Sequence, residues 1–416
     1  MRDSNPLPGA AASASLPGLR KEVGRAGIPA SLILDQSPEV GKPNSQVLRE
    51  QGLATTRIDK TRNFCRLFSA MKCALIAGTR PEVIKLAPLA KAMERWKIPY
   101  GWVLVRQHQE LLDIAKHDFG VSGQEINLDL AESMARKLGS MLPKLENALA
   151  DYSHVVVQGD TLTAFAGALV GFLCEKKVIH IEAGVRSHNL FEPFPEEQIR
   201  MFIDRVAFLR FAPTKHTLRN LKTEGLLSGT ICSYGNTVSD ALFSTKVPVV
   251  ELPFPEGSYF LVSLLRRENW SIIPKVYEML SKEKDRLFIV VVHPNHSHEA
   301  SKLTGSHIVK MGPLLYPFFI ALLRNAAAVI TDSGGTQEEA ALLGVPAFIL
   351  RRAIDRPESI EAGQAKQVAD YEELFKIIDE SDLKEMAKQS IVYGDGRVSE
   401  RIALQLARKL GLLKRQ

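Results

Sequence analysis

The sequence predicts an α/β protein of two doubly wound, Rossmann-like domains, each built on a parallel sheet, with a ligand cleft between them. Three observations carry this expectation. Short, continuously apolar, β-rich runs alternate with helical patterns, and such runs fit strands covered by helices on both faces. Several of these runs end in glycine or small polar turns, where open parallel sheets bind ligands beyond their carboxyl ends. The chain has 416 residues, 45% hydrophobic and 24% charged, which is soluble-protein composition at a length beyond one ordinary core.

Residues 1–70 are interrupted by Pro6, Pro8, Gly9, Pro17, Gly18, Gly27, Pro29, Gly41 and Pro43 and keep no sustained period, so a poorly ordered extension is expected there. The first good strand, Cys73–Ala77, lies just after Met71, so the preceding stretch reads as an upstream extension or a matter of start-site choice. Asp3, Glu22, Asp35 and Glu39 weigh against a transit peptide. Strands are then expected at Trp102–Val105, His154–Val157, Val178–Ile181, Phe208–Ala212, Tyr259–Ser263, Leu287–Val292, Ala327–Thr331 and Ala347–Leu350. The proline-rich run Val247–Pro255 looks like an interdomain crossing. The expected division is 71–238 for the first domain and 239–395 for the second, with a terminal helix, 396–416, returning to the first.

Bulk properties exclude several classes. No apolar run reaches the roughly 18 residues of a membrane span, and no basic start leads into an apolar core, so a cytoplasmic protein without a membrane partner is expected. The net charge is +6, but lysine and arginine are spread along the chain with no aromatic-basic module, which fits a small anionic substrate better than nucleic acid. The four cysteines, Cys65, Cys73, Cys174 and Cys232, lack CxxC spacing and read as buried thiols. The histidines of His293–His298 have no carboxylate or cysteine partners in pattern, so a loop is expected, with no metal and no cofactor.

The turns carry the chemistry. Ser333, Gly334 and Gly335 sit between an apolar run and a helix, where bare amides and the helix dipole make an anion site. In the first turn Thr79 and Glu82 have capping-box spacing, Pro81 suits a first helical turn, and Lys85 lies about a turn beyond Arg80, placing two cations at the cleft. Asp160 closes the third run, where it faces ligand or caps the next helix. Glu182 closes a strongly apolar strand, and partial desolvation is expected to raise its pKa toward the range useful for proton transfer. A second acidic pair, Glu196 and Glu197, opens a later helix.

Taken together these segments resemble the UDP-N-acetylglucosamine 2-epimerase family, non-hydrolysing type. Its motifs GTRPE-x-IK, GDT, H-x-EAG, PFPEE-x-x-R and DSGG-x-QEEA match Gly78 to Lys85, Gly159 to Thr161, His180 to Gly184, Pro193 to Arg200 and Asp332 to Ala340. The match runs in order from about Met71 to the Tyr393–Gly396 segment. The resemblance implies a GT-B fold, a UDP-linked 2-acetamido sugar substrate, a homodimer and a place in polysaccharide biosynthesis. It also implies C2 inversion by anti-elimination of UDP and re-addition to the opposite face. By this resemblance Asp160, Glu182, Glu196 and Lys85 are catalytic. Ser333, Gly334 and Gly335 hold the diphosphate, Glu339 holds the ribose, and Arg80, Arg200, His293, Phe319 and Arg356 bind substrate. Glu197 and Glu338 read as solvated helix charges, and His108 matches a family Q-H pair.

Two departures stand out. The family's T-x-H-R-x-E-N reads Ser263 to Asn269 here, with Leu265 in place of a histidine regarded as important for catalysis. Its R-D-T-T-E-R-P-E reads Arg351 to Glu358, with Ala353 and Ile354 in place of two hydroxyls. The alternatives are therefore a UDP-sugar-binding homologue without turnover, or a hydrolysing enzyme that releases UDP and N-acetylmannosamine.

Overall fold

The computed structural model describes residues 71–413, apart from 107, 108, 129–132, 250 and 253. The expected extension 1–70, Cys65 and His108 lie outside the described residues. What is described forms two parallel sheets. The first contains β1 (Cys73–Ala77), β2 (Tyr100–Arg106), β3 (Gln124–Asn127), β4 (His154–Gln158), β5 (Lys177–Ile181), β6 (Leu209–Ala212) and β7 (Thr230–Cys232), in the order β3-β2-β1-β4-β5-β6-β7. The second contains β8 (Tyr259–Ser263), β9 (Leu287–Val291), β10 (Ile308–Met311), β11 (Ala328–Thr331), β12 (Ala347–Leu350) and β13 (Ala365–Val368), in the order β10-β9-β8-β11-β12-β13. Every ladder is parallel.

Strand order reverses between β1 and β4 in one sheet and between β8 and β11 in the other. At such a switch point the connections leave in opposite directions and open a crevice at the carboxyl ends of the strands. The turns after β1, β4, β8 and β11 are those that carry Gly78 to Arg80, Gly159 to Thr161, Leu264 to Arg266, and Asp332 to Gly335. The fold therefore puts four of the expected motifs at two crevices.

Each sheet is covered on both faces. In the first lobe one face packs Leu75, Ala77, Leu104 and Val156 against Leu86, Leu89, Met93 and the terminal helix Val398–Lys409, while the other packs Ile76, Val103, Val155 and Val157 against Leu145, Ala164 and Ile203. The second lobe repeats the arrangement around Leu261, Val329 and Ile349 on one side and Val262, Ile330 and Phe348 on the other. Asp240 accepts the Val398 amide at 3.0 Å, which fixes the start of the terminal helix.

The sequence pattern misses β3, β7, β10 and β13, the four edge strands. Gln124–Asn127 buries only Ile126, and none of Thr230–Cys232 or Ile308–Met311 is fully buried. An edge strand is half-exposed, so its sequence lacks the continuous apolar run that marks its neighbours. The cysteine expectation holds for Cys73 and needs correction for Cys174 and Cys232, which are only partly buried. Among the described residues no helix is long and apolar enough to cross a membrane.

Candidate active site

The turn after β1 begins the helix Arg80–Arg95, with Thr79 as N-cap and a proline in its first turn. The Glu82 carboxylate turns back to accept the Gly78 and Thr79 amides at 2.8 and 2.7 Å, closing the expected capping box. Its other oxygen accepts the Thr161 hydroxyl at 2.6 Å, tying the β1 and β4 turns together. Arg80 and Lys85 then line a cavity of about 340 Å³ between the lobes. Across it lie Leu265, His293, Phe319, Ser333, Gly335 and Glu339 from the second lobe.

Ser333 caps the helix Gly334–Leu343, its hydroxyl accepting the Thr336 amide at 3.3 Å. Its own amide already donates to the Thr331 hydroxyl at 3.1 Å, so the bare-amide reading narrows to Gly334 and Gly335, whose N–H groups start the helix without intrahelical acceptors. The glycines serve different ends. A Cβ on Gly335 would meet only Ser333 Oγ, at 3.8 Å, and would point into open cavity, whereas one on Gly334 would sit 2.7 Å from Arg356 Cζ.

Asp160, Glu182, Glu196, Arg200, Gly334 and Arg356 do not line this cavity. Glu182, Arg200, Gly334 and Arg356 lie beside it in a buried junction between the lobes, and Asp160 and Glu196 are only partly buried. Lys85 belongs to both, since its ammonium donates to Glu182. Glu182, with φ 73°, also accepts from Gln158 at 2.7 Å, Asn236 at 2.9 Å and the Arg356 guanidinium. Arg356 reaches on to Glu338 at 2.8 Å and Asp355 at 3.0 Å. Asp355 accepts from Arg200, which pairs with Asp160 and with Glu197 at 3.2 Å. The chain of pairs Lys85, Glu182, Arg356, Asp355, Arg200, Asp160 runs unbroken across the lobe boundary.

The electrostatics correct one expectation. Burial pushes the Glu182 carboxyl up, but the adjoining Lys85 and Arg356 charges outweigh it and hold it down at about 2. Glu182 is an ionised, cation-paired carboxylate at neutral pH. Glu196 moves the other way, raised first by burial and then by the Asp160 charge, and its Oε2 has no hydrogen-bond partner. In the cavity Glu339 is pushed up to about 7 by burial; the Tyr316 hydroxyl donates to it at 2.8 Å, and Arg80 and Lys85 attract its charge without offsetting the loss of water.

Glu197 and Glu338 are not solvated helix charges: they are 1% and 2% exposed. Glu197 accepts the Ser187 and His188 amides and Arg200, and Glu338 accepts from Asn236 and Arg356. Sequence reading also missed Asp355, Asn236 and Gln158; their neighbours in the chain look like ordinary turns, and only the packing of one lobe on the other shows what they bind. Leu265 lies on the cavity wall, its amide held by Asp332 at 2.8 Å. Asp332 is thus a structural tie, also accepting Arg266 N and Asn269 at 3.1 and 3.0 Å. Among the described residues no group of three or more His, Cys, Asp or Glu side chains is arranged to hold a metal ion.

Residues 91–407 match the family model described as UDP-N-acetylglucosamine 2-epimerase. The UDP-N-acetylglucosamine 2-epimerase of Campylobacter jejuni is 35% identical over 371 residues, covering 80% of this chain and 96% of its own. That of Escherichia coli K12 is 32% identical over 80% of this chain and 97% of its own. In three dimensions the UDP-GlcNAc 2-epimerase of Neisseria meningitidis, solved bound to UDP-GlcNAc, superposes with a TM-score of 0.75 at 30% identity, covering 81% of this chain and 100% of that one. With its motifs at the switch points of two parallel sheets, the chain belongs to the UDP-N-acetylglucosamine 2-epimerase family.

Proposed function

We propose that this chain interconverts UDP-N-acetylglucosamine and UDP-N-acetylmannosamine by eliminating UDP and adding it back to the opposite face of the sugar. The observation that carries the reading is Lys85, which lines the cavity facing the Ser333–Gly335 turn and also donates to the buried Glu182 carboxylate. That one side chain joins an anion-binding turn to a proton-transfer group. A C2 hydrogen beside an acetamido group is a weak acid, so its removal needs simultaneous departure of the diphosphate, and the two functions must adjoin.

In this reading the Gly334 and Gly335 amides and the helix they open hold the diphosphate, with Arg80 and Lys85 opposite. Phe319 and His293 line the nucleotide end, and Glu339 accepts ribose hydroxyls. A diphosphate at the turn lies beside Arg356 and competes with Glu182 for its guanidinium, freeing the carboxylate for the sugar. Glu182, ionised, is suited to take a proton, and Glu196, with its raised carboxyl, to supply one; oppositely shifted carboxyls divide such work between them. Asp160 and Arg200 complete the sugar side. Residues 71–238, with the terminal helix, then form the sugar-facing domain, and 239–395 the nucleotide domain. We further infer a cytoplasmic homodimer; light scattering on the purified chain tests the dimer, and cell fractionation tests the location.

The deciding experiment is incubation with UDP-N-acetylglucosamine in D₂O. Deuterium at C2 in both epimers is expected; a sugar pool still unlabelled after long incubation ends the proposal, and free N-acetylmannosamine accumulating with UDP points to hydrolysis. One observation favours a second reading, binding without turnover: the apolar Leu265 on the cavity wall, which exchanges no proton. Under that reading calorimetry detects UDP while the isotope assay stays blank, and Leu265→His makes C2 exchange detectable. On the leading reading the same substitution changes turnover less than about threefold, because another group already serves.

A further inference from the structure

The groups that adjoin the cavity are held by a second set of buried charges behind them. Asp204 lies in the helix Glu196–Val206 and is completely buried, as is His180 on β5. One Asp204 oxygen meets His180 Nδ1 at 2.7 Å, and the other accepts the Gly184 amide at 3.1 Å and Arg186 Nη2 at 2.7 Å. His180 Nε2 in turn donates to the Gly159 carbonyl at 2.9 Å. Arg186 is itself 2% exposed and pairs with Glu224 at 2.7 Å.

Two of these contacts land on segments that bear candidate acid/base carboxylates, and Asp204 itself lies on the helix that bears the third. The Gly159 carbonyl immediately precedes Asp160. The Gly184 amide closes the turn that holds Glu182 in a left-handed conformation, φ 73°, which is unfavourable for a residue with a side chain and persists only where neighbours enforce it. Gly184 itself has φ 81°, and a Cβ there would sit 2.8 Å from Leu221 Cγ, so this turn packs with no slack. Asp204 lies two turns along the helix that begins with Glu196.

We infer that Asp204 and His180 are positioning residues that fix Asp160, Glu182 and Glu196 relative to one another. This inference rests on the proposed epimerase reading. Asp204 sets the ring orientation of His180, so that Nε2 faces Gly159 and the Asp160 turn is pinned to the strand that leads into Glu182. The pair touches neither nucleotide nor sugar.

The test is Asp204→Asn, with His180→Asn as a second variant. The asparagine at 180 keeps a donor near the Nδ1 position for Asp204 and loses the bond to Gly159, so it isolates the Asp160 arm should Asp204→Asn fail to fold. Either variant is expected to lower kcat on the order of 10²-fold while KM stays within about threefold, the scale seen when a buried orienting partner is removed. UDP affinity by calorimetry stays unchanged, because the Ser333–Gly335 turn lies in the other lobe. Adding Asp204→Asn to Glu182→Gln costs less than about threefold more, since residues acting as one unit are not additive.

Full additivity, or a kcat within about threefold of wild type in a folded variant, overturns the inference. A wild-type chain without isotope exchange sinks the epimerase reading instead. The positioning role is then read by calorimetry: Asp204→Asn removes the difference in affinity between UDP-N-acetylglucosamine and UDP, and a difference that survives overturns it.

Discussion

Glu182 and Glu339 are both glutamates buried beside the same cavity, and their surroundings drive them in opposite directions. Glu182 meets two cations, Lys85 and Arg356, and is held down at about 2. Glu339 hydrogen-bonds Tyr316 and faces the largely apolar cavity, and it rises to about 7. Burial is common to both; the nearest charge decides the sign. The junction around Glu182 thus keeps a buried carboxylate ionised, whereas the cavity around Glu339 leaves its carboxyl with one hydroxyl donor and a raised pKa.

The largest expected effect comes from neutralising the paired member. Glu182→Gln leaves Lys85 and Arg356 facing a neutral amide, and C2 deuterium exchange should fall by about 10³-fold or more. Thermal unfolding should show a loss on the order of 3 kcal/mol, the usual consequence of stranding a buried charge. An active, fully stable variant would break the comparison.

Next come the adjacent glycines, which separate junction from cavity. Gly335→Ala should fold normally, since its methyl group would meet only Ser333 Oγ, and weaken UDP binding by about 10²-fold if the diphosphate sits on this amide as proposed. Gly334→Ala instead pushes the Arg356 guanidinium away from Glu182 and Glu338, lowering turnover more than UDP affinity. Calorimetry and kinetics on the pair distinguish the two; identical behaviour would mean that the glycines do one job.

The pH dependence of stability sharpens the contrast further. Glu339 has its folded pKa raised from 4.5 to about 7, so the folded state binds more protons between those values and stability falls as pH rises through that window. The loss is on the order of 3 kcal/mol at full ionisation, and Glu339→Gln should flatten it. Glu182 has the opposite sign. Its stabilisation is present above 4.5 and is lost as pH falls toward 2. Urea unfolding of the wild type and both variants between pH 4 and 8 reads the Glu339 slope directly.

The smallest effect concerns binding. Ionised Glu339 is the better acceptor for ribose hydroxyls, so UDP affinity should rise up to about tenfold between pH 6 and 8, and Glu339→Gln should abolish that rise. A flat profile in the wild type would remove Glu339 from the nucleotide site.

The sequence made the centre of each sheet legible and left the margins obscure. β1, β8 and β12 coincide with their apolar runs, because a strand covered on both faces must be apolar throughout. The edge strands β3 and β10 carry Gln124, Glu125 and Lys310 among their few residues and give no such signal. The site divides similarly. Ser333, Gly335, Arg80 and Lys85 were readable because a turn of fixed length between strand and helix determines what it presents to the crevice. Arg200 and Arg356, expected to bind substrate, also pair with buried carboxylates, which the turns alone do not show. The partners of Arg356 include Glu182, 174 positions away.

Local order in the chain therefore determined the two parallel sheets, their ligand-facing ends and the family to which they belong. Strand periodicity and turn chemistry act over a few residues, and the sequence displays them directly. The charge of Glu182, the burial of Glu197 and Glu338, and the contacts of Asp204 with His180, Gly184 and Arg186 were decided only when the elements packed. Those properties depend on the distance between charges and on the exclusion of water, and neither exists until the lobes meet.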